Sequence, residues 1–320
     1  VNFSSQLALT IGSVNPVGIT SHGANVTILA PSIDASGSTI DTRSSADSSA
    51  GGSVTLTTSG AGAAGNLSTG DIITSGTAAT ASSGDGGGAA GNVTLTASGD
   101  TLEVAGAITA RGGAGDGIGA DGADGRVKLS ATAGAVTQAD GAHAIDAGLL
   151  LVNALNTSSL LDTGNMTDRV AAQVTGVGEN FVYRSGGDFV IGGGGEDGIN
   201  GITTQGGSID LDGSDVAVGA TQAIISKGGN FSALGVRSFD SSGVTINTAG
   251  DVTYAGGVYK DGGDIDITTT ANGGAINTGT LIASADVNNA GDAASGQITL
   301  NADGALTVRS TTAQGKGSGS

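Results

Sequence analysis

The sequence has 320 residues, of which 61 are Gly and 2 are Pro, contains neither Cys nor Trp, and carries a formal net charge of −18. An acidic surface repels phosphate backbones and anionic lipid, so we expect no partnership with nucleic acid or a membrane surface. The longest strongly apolar run, Leu149–Val152, is far shorter than the roughly 20 residues of a membrane-spanning helix. Hydrophobic residues make up 38% of the chain, which argues against disorder despite the Gly content.

The chain opens with Val1-Asn2-Phe3, without a basic segment of the secretory type, and closes on "GKGSGS". We therefore expect an excerpt from a longer mature protein.

The first recurring element is "GGSVTLTTSG" at 51 to 60, where Val54 and Leu56 are apolar and Thr55 is polar. This alternation is typical of a strand with one buried face. The same parity recurs at Val93/Leu95, Val127/Leu129, Ile209/Leu211, Val244/Ile246, Ile265/Ile267 and Ile298/Leu300. The polar slot between the apolar residues holds Thr55, Thr94, Lys128, Asp210, Thr245, Asp266 and Thr299.

A second element follows several copies, as "GDIITSG" (70 to 76), "GAITARG" (106 to 112) and "GTLIASA" (279 to 285), and Gly- and Asp-rich loops come next. Ile40, Ile73 and Ile108 are separated by 33 and 35 residues. Periods between about 20 and 50 residues indicate a solenoid or a propeller.

The solenoid interpretation explains more of the composition. Pro is scarce, as expected where each strand donates to a ladder, and aromatic residues for packing propeller blades are few. We predict an all-β fold, a right-handed parallel β-helix that is continuous over residues 1–320. At a rung spacing of about 4.8 Å, roughly 11 coils would give a rod on the order of 50 Å long.

Residues 143–185 depart from the pattern, with more Leu and less Gly. We interpret them as irregular coils within the β-helix. The stretch "TDRVAAQ" predicts a short helical turn with Thr167 as its N-cap.

A longer echo relates residues 9–28 to residues 189–211. It aligns Ile11 with Ile191, Ile19 with Ile202, Gly23 with Gly206 and Val26 with Ile209. A superrepeat of about 180 residues follows from this alignment.

The order "AIDAGLLLVNA … NMTDRVAAQVTG … FVYRSGGDFVIG … GINGITTQGGSIDL" resembles the repeats of filamentous-haemagglutinin-like exoproteins, and the "GGSVTLT" and "GDIITSG" copies are similar to the same family's coils. The similarity covers nearly the whole chain. It implies a long bacterial surface β-helix, secreted by a two-partner route. It specifies no ligand, and the matching positions are structural.

Two stretches are candidates for calcium. Gly192–Ile199 fits one copy of the G-G-x-G-x-D-x-U repeat of calcium-binding β-rolls, although that chemistry needs tandem copies. The loop at 115–126 carries Asp116, Asp121 and Asp124, which are hard oxygen ligands. We favour a Gly-rich corner for the first stretch and acids that solvate a flexible loop for the second, so no cofactor is predicted and calcium stays a weak alternative.

No catalytic, cofactor-binding or metal-binding residues are predicted. Lys and Arg are thinly spread, and the two histidines, His22 and His143, are assigned to the surface. Outward Thr residues could form an ice-binding array, but Lys128, Asp210 and Asp266 interrupt it. Aromatic residues gather between 181 and 259, where we expect them to fill wider coils rather than stack on sugars; they are Phe181, Tyr183, Phe189, Phe231, Phe239, Tyr254 and Tyr259.

The sequence thus predicts a non-enzymatic structural or adhesive β-helix, a stalk or filament outside the bacterial cell. Uncapped coils at both ends predict end-to-end self-assembly, and the expected partners are host-cell, neighbouring-cell or matrix surfaces. The alternative is a carbohydrate-binding or carbohydrate-processing β-helix with a groove near 181 to 259.

Overall fold

The computed structural model describes residues 1–12, 18–80, 84–193, 195–220, 222–251, 261–270, 273–286 and 291–316. The chain divides into two compact units. Unit 1 comprises Val1–Leu155 and Leu160–Asp168, and unit 2 comprises Asn156–Ser159 and Arg169–Ser320.

The regular secondary structure of unit 1 consists almost entirely of short strands. They are β1 (Asn2–Ser4), β2 (Leu9–Thr10), β3 (Ile19–Thr20), β4 (Val26–Ala30), β5 (Ile33–Asp41), β6 (Val54–Thr58), β7 (Leu67–Ile73), β8 (Val93–Ala97), β9 (Thr101–Val104), β10 (Ile108–Ala110), β11 (Arg126–Ala131), β12 (Ala135–Gln138) and β13 (Ile145–Ala154). One 3-10 turn, η1 (Gly62–Gly65), lies between β6 and β7.

Unit 2 has the same character. Strands β14 (Ser158–Leu160) and β15 (Met166–Val177) each contain a boundary between the units. The others are β16 (Phe181–Arg184), β17 (Phe189–Ile191), β18 (Gly201–Gln205), β19 (Ile209–Asp212), β20 (Asp215–Val218), β21 (Ala223–Ile225), β22 (Phe231–Val236), β23 (Ser238–Asn247), β24 (Ile265–Thr269), β25 (Ile276–Ile282), β26 (Ile298–Asn301) and β27 (Leu306–Thr312). The 3-10 turn η2 (Glu196–Gly198) precedes β18.

The strands of unit 1 pair in parallel and form three faces. Face A contains β1, β4, β6, β8, β11 and β13 in that order. Face B joins β2, β5, β7, β9 and β12. Face C joins β3, β5, β7, β10 and β13.

Unit 2 repeats the three faces. Its face A joins β16, β19, β22, β24 and β26. Face B runs through β17, β20, β23, β25 and β27, and face C through β18, β21, β23, β25 and β27. In both units, each coil contributes one strand, or one part of a longer strand, to each of three parallel faces. This is the arrangement of a parallel β-helix, so the predicted fold class is confirmed. The hand of the winding and its continuity over the whole chain stay predictions.

Apolar side chains from successive coils stack inside each unit. Val54 lies opposite Val93, which lies opposite Val127, and all three have no exposed surface. In unit 2, Ile209 lies opposite Phe231 in the same buried way. Each such side chain contributes roughly 1.5–3 kcal/mol on burial, which offsets the entropy cost of ordering a Gly-rich backbone.

A Gly two residues before many of the face A strands explains why the short element recurs. It precedes the strands that begin at Val54, Val93, Ile209, Phe231, Ile265 and Ile298. A Cβ placed on Gly91 would lie 2.2 Å from the carbonyl oxygen of Gly52 in the preceding coil. A Cβ on Gly229 would lie 2.1 Å from the carbonyl oxygen of Gly207. Backbones therefore meet at this corner at a distance that only Gly permits, and we call it the third corner, where face C passes to face A.

Buried hydroxyls close the third corner. Thr74 Oγ1 donates to the carbonyl oxygen of Gly91 over 2.8 Å, and Thr248 Oγ1 donates to that of Gly263 over 2.6 Å. Neither Thr is exposed. The bond gives a buried hydroxyl its partner and ties the end of face C to the start of the next coil.

The coils differ in length because the third corner does. Val54 and Val93 are register partners 39 residues apart, whereas Ile209 and Phe231 are 22 apart. The connection at this corner ranges from the single residue Gly148, within β13, to 74–92. The predicted period of 33 to 35 residues therefore lies within a wider observed spread.

Three local predictions are wrong. The partner of Ile40 and Ile108 is Ile72, and Ile73 points outward beside Asp41, because side chains alternate along a strand. Thr167 belongs to strand β15 rather than to a helical turn, and its side chain is buried in the interior. Val244 and Ile246 have the predicted parity but lie on face C, next to β21.

The echo between the two halves corresponds to equivalent positions. Gly23 and Gly206 adopt left-handed φ values of 88° and 87° shortly before a face A strand. Ile19 and Ile202 both belong to face C. The same backbone conformation thus occurs at equivalent positions in each unit.

Candidate functional site

The predicted outward slots of face A lie in register. Thr55 pairs with Thr94, and Thr94 pairs with Lys128, so the charged residue interrupts the Thr column as expected. In unit 2, Asp210 occupies the equivalent slot. Its carboxylate accepts from Arg184 Nη2 over 2.5 Å and from Ser232 Oγ over 2.8 Å.

The histidines take no part in a catalytic arrangement among the described residues. His22 is exposed in a turn with φ 50°. His143 is half-buried, and its carbonyl oxygen accepts from the side chain of Gln138 over 2.6 Å. The surface assignment is thus confirmed for His22, while His143 is only partly exposed.

The candidate β-roll repeat at Gly192–Ile199 forms a corner, although Gly194 lies outside the described residues. Gly195 has φ 82°, Asp197 has φ 51°, and Ile199 is buried. No group of three or more His, Asp or Glu side chains able to hold a metal ion occurs within the described ranges.

The three acids of the 115–126 loop are backbone acceptors, which corrects their interpretation as solvating groups of a flexible loop. Asp116 accepts from the amides of Gly84, Ile118 and Gly119 over 2.7, 3.0 and 2.8 Å. These bonds, with that of Gly119 strongest, lower the pKa of Asp116 to about 2. The carboxylate therefore stays charged and holds two loops together.

The other two acids act similarly. Asp121 accepts from the amide of Gly115 over 2.8 Å, and Asp124 accepts from the amide of Gly112 over 2.7 Å. Backbone bonds also join this loop to the preceding one, for instance from Gly113 to Gly88 over 2.8 Å. The Gly- and Asp-rich loops form an ordered layer on unit 1.

Arg111 is the centre of the strongest charge cluster in the described part of unit 1. Its guanidinium binds the carboxylates of Asp124 and Asp168 over 2.8 Å each, and it also contacts that of Asp146. Burial opposes its charge, but the bonds from Asp146, Asp168 and Asp124 raise its pKa above the ordinary Arg value. Because each carboxylate comes from a different segment, the cluster ties several segments of unit 1 together.

The described aromatic residues between 181 and 259 are interior. Phe181, Tyr183, Phe189, Phe231 and Phe239 are at most 2% exposed. Tyr183 and Phe189 make an edge-to-face contact with ring centroids 5.1 Å apart. An interior packing role is thus confirmed for these five, which provide no stacking surface for sugars. Tyr254 and Tyr259 lie outside the described residues.

Side-chain ladders at the start of face A escaped the sequence analysis. Asn25 Oδ1 accepts from the amide of Ser53 over 2.8 Å, and Asn92 Oδ1 accepts from the amide of Arg126 over 2.9 Å. In unit 2, Asn180 Oδ1 accepts from the amide of Ser208 over 2.7 Å. A polar residue just before each apolar pair was the available signal.

A recess on face B of unit 1 was not predicted either. It has a volume of about 470 Å³ and is open to solvent. Outward-facing side chains of four successive coils form its floor, and Ala63 of η1 forms one wall. The floor residues are Asp34, Ser68, Glu103 and Thr137, in register from one coil to the next.

A second polar column borders the floor, consisting of Ser32, Asn66 and Thr101. Asn66 Oδ1 accepts from the amide of Thr101 over 3.0 Å, so the amide nitrogen of Asn66 supplies the donors of that column. Ser68 Oγ donates to Glu103 Oε2 over 2.9 Å, which holds the carboxylate beside the floor. The polar part of the lining consists of hydroxyl, amide and carboxylate groups and includes no cation, and Ile33, Ala63 and Leu67 contribute apolar surface.

The fold places the chain among parallel β-helices. Comparison with protein-family models, with curated proteins and with solved structures found no match. Among the described residues, no helix has the length and apolar character needed to cross a membrane.

Proposed function

We propose that the chain is a non-enzymatic structural or adhesive β-helix of the bacterial cell surface, part of a stalk or an extracellular filament. One observation carries the proposal. The polar and apolar columns, the corner glycines and the side-chain ladders all serve the stacking of coils, and they recur in both units. The resemblance to filamentous-haemagglutinin-like exoproteins supports the same function.

The arrangement of hydrogen bonds suits an element that resists stretching force. Each face is a continuous series of parallel pairs, so neighbouring coils are joined on three sides. Arg111 adds a multivalent ion cluster, and the loop layer adds a fourth set of backbone bonds. Separating two coils would require many bonds to break together, which favours mechanical strength.

Apolar columns also reach the first and last described coils. Phe3 is 47% exposed beside a recess of about 250 Å³ that Leu9, Ile19 and Ile28 help to line. Leu306, in β27 of unit 2, is 49% exposed. We propose that a second copy contacts these exposed residues end to end, since unpaired strand edges recruit strands.

Location is tested on intact cells of the source organism. Antibodies raised against the chain should label unpermeabilised cells or their culture medium. Labelling that appears only after permeabilisation would contradict a surface function.

Mechanical function is tested by pulling single molecules. The chain should resist force and yield in steps of one or a few coils, that is, in multiples of 22 to 39 residues. Extension without resistance would argue against a stalk. Binding of the chain to host cells, neighbouring bacteria or matrix would then identify the adhesive partner.

A further inference from the structure

The recess on face B of unit 1 has a lining whose bonds between coils leave much hydrogen-bonding capacity unused. Outward residues of a solenoid can be any soluble type, yet here the floor repeats groups of strong hydrogen-bonding capacity. Asp34 and Glu103 are exposed, while Ser68 and Thr137 are half-buried between the coils. Four rungs at about 4.8 Å give a polar floor roughly 14 Å long.

The two carboxylates accept hydrogen bonds and cannot donate them when ionised. Asp34 already accepts from the amide and hydroxyl of Ser36 over 3.2 and 2.8 Å, which orients it. Glu103 accepts from Ser68, and each carboxylate has lone pairs for further donors. A ligand should therefore offer several hydroxyl donors in a row.

The flanking column complements this requirement. Ser32 and Thr101 provide hydroxyls that both donate and accept, and Asn66 provides N–H donors. The carboxylates and the net charge of −18 disfavour anionic ligands such as sulfated or phosphorylated chains. The long, open shape excludes a fully enclosed small molecule and suits an extended chain.

We propose that this recess binds a neutral oligosaccharide, laid along the solenoid so that successive sugar hydroxyls meet Asp34, Ser68, Glu103 and Thr137. Binding relies on hydrogen bonds to charged acceptors, because aromatic stacking groups are absent from the lining. The site consists of unit 1 residues, whereas the alternative carbohydrate interpretation of the sequence involved a groove formed by residues 181 to 259. It does not depend on the structural function proposed above.

The test measures retention of the chain on immobilised neutral oligosaccharides (cello-, chito-, malto- and manno-oligosaccharides), with sulfated glycans and a Lys-rich peptide as competing classes. The wild-type chain should retain at least one neutral glycan. Asp34→Asn and Glu103→Gln should each weaken binding about tenfold, the usual effect of losing a charged hydrogen-bond partner.

Two further variants separate binding from folding. Ala63→Trp fills the recess without removing a polar group and should abolish retention. Asp240→Asn is the matched control, because Asp240 is exposed on face B of unit 2 and accepts from the amide of Ser242 over 2.9 Å, as Asp34 does from Ser36. It should bind as the wild type does.

The proposal is overturned if no neutral glycan is retained, or if Ala63→Trp still binds. Equal weakening by Asp240→Asn, or retention of the Lys-rich peptide alone, would also overturn it. Thermal melting of each variant identifies loss of fold, and Asp34→Asn and Asp240→Asn are equally conservative.

Discussion

Replacing Gly229 by Ala tests the contact that we hold responsible for the recurring element. The added Cβ would lie 2.1 Å from the carbonyl oxygen of Gly207 and 2.4 Å from its carbon. Both atoms are backbone, so the coils must separate locally. Overpacking of this kind costs about 1–3 kcal/mol. The movement also strains the bond from Ser226 Oγ to the carbonyl oxygen of Gly229, worth about 1 kcal/mol. We expect a net loss of about 2 kcal/mol or more.

Gly243→Ala is the matched control within unit 2. No atom lies within 4 Å of the Cβ it would carry, and its φ is not left-handed. That variant should gain about 0.4–1 kcal/mol, because Ala restricts the unfolded chain. Urea unfolding followed by circular dichroism gives both midpoints. Amide exchange in β19 and β22 supplies a local readout, since repeat arrays unfold with limited cooperativity. Equal midpoints, or a more stable Gly229→Ala, would refute the account of the corner.

Three further predictions concern unit 1. Leu95→Asp should prevent folding because the charge enters a dry interior, whereas Thr94→Asp should fold normally; similar circular dichroism spectra for the two would contradict the assigned faces. Thr69→Val should leave the urea midpoint unchanged or raise it, since the buried Thr69 hydroxyl has no partner among the described residues; a clear loss would reveal one. Asp116 has a lowered pKa, so its contribution to stability is present above about pH 3.8 and is lost as the pH falls through about 2. The amide shift of Gly119 should titrate in that range, and a midpoint near 3.8 would argue against the loop bonds.

The buried pairs of face A could be predicted from the sequence because period-2 alternation depends only on local pattern. Val54, Leu95 and Ile267 are all fully buried as expected. The prediction of the inward residue was wrong at Ile72 and Ile73, because two adjacent Ile residues do not show which of them points inward. The register with β10 determines that it is Ile72. The strand at Thr167 was missed because its local sequence also suits a helix.

The recess was missed although its floor follows the predicted period, since Asp34, Ser68, Glu103 and Thr137 are 34, 35 and 34 residues apart. Its wall was beyond the sequence, because the place of Ala63 depends on how the corner that contains η1 lies beside the strands. The roles of Asp116 and Arg111 depend in the same way on which loops and strands are neighbours, so composition suggested solvation where the structure has specific bonds.

At the third corner, the length of the connection and the register of the paired strands are independent of each other. Register is set where Val54 meets Val93 and where Ile209 meets Phe231, whatever the length of chain between them. Additional residues can accordingly be accommodated between face C and face A without shifting any inward side chain. A binding peptide or a small domain inserted into such a connection would project sideways without changing the register of the face A strands, as long as the backbone bonds of the loop layer are kept. The position of an inserted segment along the β-helix can therefore be chosen independently of the strand register.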